Sequence, residues 1–178
     1  MNRQLIWSAS ACVIAACAAL VWAADPAKEK KPDEAAVERA RKKVQMLDEV
    51  YKNAVVLITD KYVNKDSDFA AGSAAVALFK AVSKSGHQQV RLIDATGDPY
   101  EPANVAKSNF ETEGIKKLKA GAASFDEVGV NDKGQFELRA VTPVPVVMQK
   151  CVMCHAHYEA AKKKGEIVGA ISYVVPIE

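Results

Sequence analysis

The sequence predicts an α+β domain in which helices come first and a small antiparallel sheet follows. Three observations carry that prediction. Val37, Ala40, Val44, Leu47, Tyr51, Ala54, Ile58 and Tyr62 recur at spacings of three and four, the signature of one stripe on a long amphipathic helix. Residues 125–130 and 136–142 flank Asn131-Asp132-Lys133-Gly134, the pattern of a β-hairpin. A last apolar run occupies residues 167–175. Strands gathered behind helices, with a hairpin among them, argue against an alternating parallel βα arrangement.

The chain has 178 residues and opens with one positive charge, Arg3, before an uncharged apolar stretch over residues 5–22. That stretch ends in Val21-Trp22-Ala23, with small residues at the positions a signal peptidase reads, so residues 1–23 are predicted to be a secretory signal peptide. An uncleaved anchor helix is the rival, because the apolar run is near spanning length. Ile14-Ala15-Ala16-Cys17 also resembles a lipobox, although the apolar run continues past Cys17 where an acylated chain normally turns polar. Membrane attachment therefore requires that the first segment be retained or that Cys17 be lipidated. Export places the mature protein in the periplasm, and Cys12 and Cys17 then leave with the signal, so Cys151 and Cys154 are the mature chain's thiols. Residues 24–33 form a charged tether containing Pro26 and Pro32, too poor in apolar groups to pack. Residues 34–178 form one domain, long enough to bury its own core. A formal net charge of +2 with the signs interspersed points to no nucleic-acid partner.

The first helix is apolar along the stripe from Val37 to Tyr62 and broadens at Ala54-Val55-Val56-Leu57-Ile58. The stripe packs on the domain or serves as a coiled-coil seam, so a homodimer through this helix stays open. Asp66-Ser67-Asp68 supplies cap residues for a second helix over 69–85, with Leu78, Phe79 and Val82 on it and Gly86 to end it. Residues 88–95 alternate as a strand, Thr96-Gly97-Asp98-Pro99 breaks it, and 100–107 is a loop. Ser108-Asn109-Phe110-Glu111 is a capping-box pattern opening a short helix that runs to Gly121. After the hairpin, Pro143 and Pro145 are expected to stop the second strand at Thr142. Residues 158–163 are expected to make a helical turn before the last strand.

Between the prolines and that turn lies Cys151-Val152-Met153-Cys154-His155. Two thiols three positions apart, followed at once by an imidazole, form the attachment pattern of a c-type haem. Each sulfur adds across one porphyrin vinyl, and the following His155 then lies under the iron as proximal ligand. A structural zinc site would need four nitrogen or sulfur ligands, and past residue 24 there is no third Cys. A thioredoxin-like dithiol sits early, after an entry strand, with most of its domain downstream; here 23 residues follow His155. One covalent haem c is the predicted cofactor.

The second half of the chain also resembles a known family: the bacterial c-haem domains of PAS-like fold, catalogued as a domain of unknown function and typified by a cyanobacterial haem protein. The matching stretches are Val90-Arg91-Leu92, Pro102-Ala103-Asn104 leading to Phe110-Glu111, Leu138-Arg139-Ala140, residues 143–155, and Gly169-Ala170-Ile171-Ser172-Tyr173. The resemblance covers roughly residues 45 to 178. It implies a PAS-like sheet with flanking helices and a haem held against the sheet. In the family's best-known pattern the first long helix carries a Cys that serves as second axial ligand. The corresponding stretch here, Ala54-Val55-Val56-Leu57-Ile58-Thr59, has none, so thiolate ligation does not carry over.

His157 and Met153 are too near the attachment point along the chain to reach the opposite face of an iron held by His155, and the family reading puts Met148 on the proximal side. Met46 lies about 15 Å too early on the helix, at 1.5 Å per residue, and reads as core. His87 is the remaining distant imidazole and the candidate sixth ligand, with an open or water-filled position as the rival and Tyr62 or Lys61 behind them. Arg139 and Arg91 are candidate partners for haem propionates.

A single covalent haem without a second redox motif suits one-electron transfer with a protein partner. The PAS-like resemblance raises the alternative of a gas or redox sensor signalling to a separate protein. Enzymatic chemistry ranks behind both, because no distal acid–base pair is evident.

Overall fold

The computed structural model describes residues 31–65 and 68–178. The predicted signal peptide with Cys12 and Cys17, most of the predicted tether, and Asp66-Ser67 lie outside the described residues. From Pro32 onward the chain forms one compact unit.

Helix α1 (Glu34–Tyr62) starts where Asp33 accepts a hydrogen bond from the Ala36 N–H at 3.1 Å. Glu34 in its first turn and Lys61 in its last both oppose the helix dipole. The predicted stripe is the buried one: Val37, Ala40, Val44 and Tyr51 pack into the core, with Leu47 and Val55 beside them. These residues are therefore not a dimer seam.

Helix α2 (Ala71–Ser83) starts two residues later than the cap residues predicted and has no side-chain cap. The Asp68 carboxylate turns back instead, accepting the N–H groups of Asn64 and Lys65 at 2.8 and 3.1 Å. Gly86, at φ +80°, takes the left-handed turn that leads from α2 into β1 (Gln89–Asp94). Helix α3 (Asn109–Lys119) is capped by the Ser108 hydroxyl, which accepts from the Glu111 N–H at 3.1 Å. The return half of the capping box is not made, because the Glu111 carboxylate is held by Arg91 and the Lys107 N–H. The hairpin strands are β2 (Phe125–Val130) and β3 (Phe136–Pro145), and β4 (Ile167–Pro176) closes the domain.

The prolines do not end β3 at Thr142. Phe136 accepts from the Ile177 N–H, so Phe136 faces β4 and every odd-numbered residue of the strand faces β2. The pairing with β2 ends at Val141 opposite Phe125. Pro143 and Pro145 thus turn their missing N–H groups toward an edge where no strand waits, and β3 runs on against β4.

The four strands pair antiparallel throughout in the order β1-β4-β3-β2. This is an α+β architecture: a four-stranded antiparallel sheet, flanking helices and a long N-terminal helix. On one face α1 and α2 cover Val90, Leu138, Ala140, Ile171, Tyr173 and Val175 with Phe79 and Tyr51. On the other, Phe110 and Leu118 of α3 meet Ile93, Val141 and Ala170. α3 lies close because Gly114 has no side chain; a Cβ there would run into Val141.

One polar knot ties α1 to the sheet. Asp48 Oδ1 accepts the hydroxyls of Thr142 and Tyr173 at 2.5 and 3.0 Å, and Oδ2 accepts Lys52 Nζ at 2.7 Å. The Tyr173 side chain is fully buried, so its hydroxyl requires such a partner. Among the described residues no helix is long and apolar enough to cross a membrane.

Candidate haem-attachment site

The Cys-rich segment fills the excursion between two neighbouring strands. β3 ends at Pro145 and β4 begins at Ile167, and these two residues are partners in the sheet. Between them run helix α4 (Gln149–Cys154), a 3-10 turn (Ala156–Tyr158) and helix α5 (Glu159–Lys164), which ends at Gly165 in the left-handed conformation. The sheet thus clamps both ends of the segment.

On α4, Cys151 and Cys154 are three residues apart, so they stand one above the other on one helix face. Both thiols are free and half-buried. Val152 is buried and seats the helix, whereas Met153 faces solvent. Lys150 Nζ donates to the Asp60 carbonyl at 2.6 Å and ties α4 to the last turns of α1. Gln149 bonds Lys162 and holds α4 to α5. An open hollow of about 310 Å³ is lined by Gln149, Lys150, Val152 and Met153.

His155 leaves the helix at φ −130°, ψ 69°, which swings its ring away from the α4 axis. Three rings surround it. Tyr158 stacks on the imidazole at 4.6 Å, while Tyr100 and His157 meet it edge-on at 5.7 and 5.8 Å. Burial, and next the charge of His157, push the His155 pKa below the usual histidine value, which favours the neutral imidazole a metal ligand must be. Its Nδ1 is buried without a hydrogen-bond partner. Leaving such a group unpaired costs about 1–3 kcal/mol. Two aligned thiols and a neutral imidazole fit the donor set of a c-type haem. They do not fit zinc: among the described residues no three His, Cys, Asp or Glu side chains converge.

Several predicted site residues are not brought here. His87 precedes β1, whose first residue Gln89 pairs with Val174, while the motif adjoins the other end, where Asp94 pairs with Gly169. Five strand residues, roughly 17 Å, separate the two ends. His87 is exposed at the far end and is not positioned as a sixth ligand. Arg139 pairs with Val174, also at that end, and its guanidinium is taken by Glu127 and Glu137. Arg91 is nearer, but it donates to Glu111 at 2.6 Å and to the carbonyls of Ala103 and Val105 at 2.9 and 2.7 Å. It holds the loop before α3 and has no free fork for a propionate. Met46, expected in the core, is 59% exposed. Tyr62 is exposed in the last turn of α1, and Lys61 is paired with Asp60 at 2.8 Å.

Sequence reasoning missed Tyr100 and Tyr158. Tyr100 lies 55 positions before His155, and only the β1–β4 register, which carries the loop after Asp94 to the motif, brings the two together. Tyr158 carried a local signal that was passed over, an aromatic three residues beyond the histidine.

A family model for Tll0287-like proteins matches residues 29–176. Among solved structures the chain is similar to one described as the crystal structure of the cyanobacterial heme-protein Tll0287, with a TM-score of 0.54 and 11% identity. The match covers 81% of this chain and 96% of that one. At that identity the likeness shows a shared fold. No curated protein matches the chain.

Proposed function

The chain belongs to the Tll0287-like family, and from that premise we propose that it is an exported c-type haem protein. One haem is bound through thioether links at Cys151 and Cys154, His155 is the proximal ligand, and the protein passes single electrons to and from a partner protein. The observation that carries this reading is the pair of free thiols on one face of α4, followed at once by an imidazole that burial keeps neutral and two tyrosine rings wall in. The haem protein to which the fold is similar supports the cofactor.

A bound haem supplies an iron that gains and loses one electron reversibly. The chain's own residues do the rest. Cys151 and Cys154 fix the group covalently, Val152 anchors the helix that bears them, and Lys150 locks that helix against α1. Tyr158 and Tyr100 wall the imidazole. Arg3, the apolar stretch behind it and Val21-Trp22-Ala23 support export to the periplasm.

A second reading, a haem sensor of gas or redox state, is favoured by a specific observation. His87 lies at the far end of the sheet, and the helix stretch from Ala54 to Thr59 holds no sulfur ligand. An iron with one strong protein ligand is open to small molecules.

Acid–acetone extraction tests the attachment: the pigment should stay with the denatured chain, and pigment leaving with the solvent overturns the covalent haem. Mass spectrometry should find a mature N-terminus near Ala24; a lipidated Cys17 or an intact start would replace periplasmic release by membrane attachment. Absorption spectra of the oxidised and reduced protein, with and without carbon monoxide, separate the two roles. A low-spin spectrum indifferent to carbon monoxide favours the electron carrier, and a high-spin spectrum that carbon monoxide shifts favours the sensor.

A further inference from the structure

The solvent face of α1 carries a second stripe that the sheet does not use and that meets the motif helix only at its last position, where the Asp60 carbonyl accepts from Lys150. Met46, Val50 and Leu57 are 59%, 57% and 57% exposed, although each is large and apolar. Isolated exposed apolar residues are ordinary. These three fall on one line, and continuing their alternation of three and four takes in Lys43, Asn53 and Asp60. Positions 43, 46, 50, 53, 57 and 60 thus form a heptad seam about 26 Å long at 1.5 Å per residue. The buried positions Val37, Ala40, Val44 and Tyr51 lie on the other side of the helix.

The order of residues along the seam selects its occupant. Reversed, the seam complements itself. Two copies of α1 laid antiparallel about a two-fold axis between Val50 and Asn53 set Lys43 opposite Asp60, Met46 opposite Leu57, and Val50 opposite Asn53. Each contact then occurs twice, as an isologous interface requires. A parallel pair would instead oppose Lys43 to Lys43 and Asp60 to Asp60. Asp60 otherwise meets its neighbour Lys61 at the surface, where an ion pair is worth little and exchanges freely. We propose that α1 is the interface of a two-fold homodimer, with the two helices antiparallel and Met46, Val50 and Leu57 at its centre. This reading does not depend on the haem.

The test is the oligomeric state of the mature, haem-loaded chain, measured by sedimentation and by light scattering across a dilution series. Wild type is expected to be dimeric, and Val50→Glu monomeric with the melting curve of wild type diluted below its dimer Kd, because Val50 is 57% exposed and outside the core cluster. Lys43→Asp and Asp60→Lys should each raise the dimer Kd about tenfold, since each reverses two ion pairs, and the double variant should restore it. A wild-type monomer at every concentration overturns the proposal, as does a dimer that Val50→Glu leaves intact. A double variant no tighter than the single ones overturns the antiparallel register. If Val50→Glu fails to fold, the charge exchange at the two ends of the seam, the half-buried Lys43 and the exposed Asp60, decides the matter.

Discussion

Tyr158 lies flat on the imidazole of His155, with ring centroids 4.6 Å apart and planes 22° apart. Its N–H also donates to the His155 carbonyl at 2.8 Å. A metal-binding histidine is normally oriented by a hydrogen bond from its second nitrogen. Here Nδ1 has no acceptor, and one residue sets the ring by stacking and the backbone by its amide. Tyr158→Ala in the haem-loaded protein should therefore leave the haem covalently attached but shift the midpoint potential and the paramagnetic resonance spectrum. Tyr158→Phe, which keeps the ring, should restore both. An alanine variant with the wild-type spectrum would reduce Tyr158 to packing.

Arg91 and Arg139 were paired as propionate candidates, and their surroundings separate them. Glu111, the partner of Arg91, has a side chain only 8% exposed, whereas Arg139 divides its guanidinium between Glu127, 43% exposed, and Glu137, 14% exposed. Arg91→Ala leaves a buried carboxylate with only the Lys107 N–H and frees two carbonyls, and should cost about 2 kcal/mol. Arg139→Ala should cost less than about 1 kcal/mol. Denaturant titration compares the two. Equal losses would show that the Arg91 network contributes nothing special.

The legible parts of this chain were those written in local periodicity. The stripe from Val37 to Tyr51 is buried where the spacing of three and four placed it, and the Asn131–Gly134 turn joins the predicted strands. Thr142 was the wrong stopping point for β3, because whether a proline ends a strand depends on which edge it faces, and that is set by the distant pairing with β4. Gly86 correctly announced the end of α2, but Asp68 spends its carboxylate backward on Asn64 rather than forward on the helix. At the site, the placing of Cys151, Cys154 and His155 on and just after one short helix was legible because their spacing acts within about one helical turn. The distance of His87 from the motif was not legible for the opposite reason: it depends on strand register, which no local pattern contains.

That register yields a prediction for the distal face. With His87 about five strand residues from the motif end of the sheet, His87→Ala should leave the spin state and the carbon monoxide spectrum unchanged. His157→Ala should likewise leave the spin state as it is, because His157 meets His155 from the same chain segment. Conversion of a low-spin spectrum to high spin in His87→Ala would mean that haem binding reorganises the sheet end, and would reinstate His87 as the ligand.

The last prediction concerns Tyr173 and Asp48. Burial, and then the charge of Asp48 and the hydrogen bond to it, push the Tyr173 phenol well above its ordinary value of about 10. In the folded protein Tyr173 stays neutral at alkaline pH, while in the unfolded chain it ionises above about pH 10. There the unfolded state binds fewer protons than the native state, so stability falls as pH rises. This single group should contribute a slope of about 1.4 kcal/mol per pH unit. Tyr173→Phe has no proton to lose. At neutral pH the variant should be less stable by about 1–2 kcal/mol, for the hydroxyl it no longer offers to Asp48. As pH rises past about 10 the difference should shrink and then vanish, because wild type loses stability through Tyr173 and the variant does not. Unfolding free energies of both proteins at matched pH values between neutral and alkaline measure this, and the other titrating groups cancel in the comparison. A difference that stays constant across that range would mean that Tyr173 ionises as readily in the native state as in the unfolded chain, and that the link between Asp48 and the sheet is open to water.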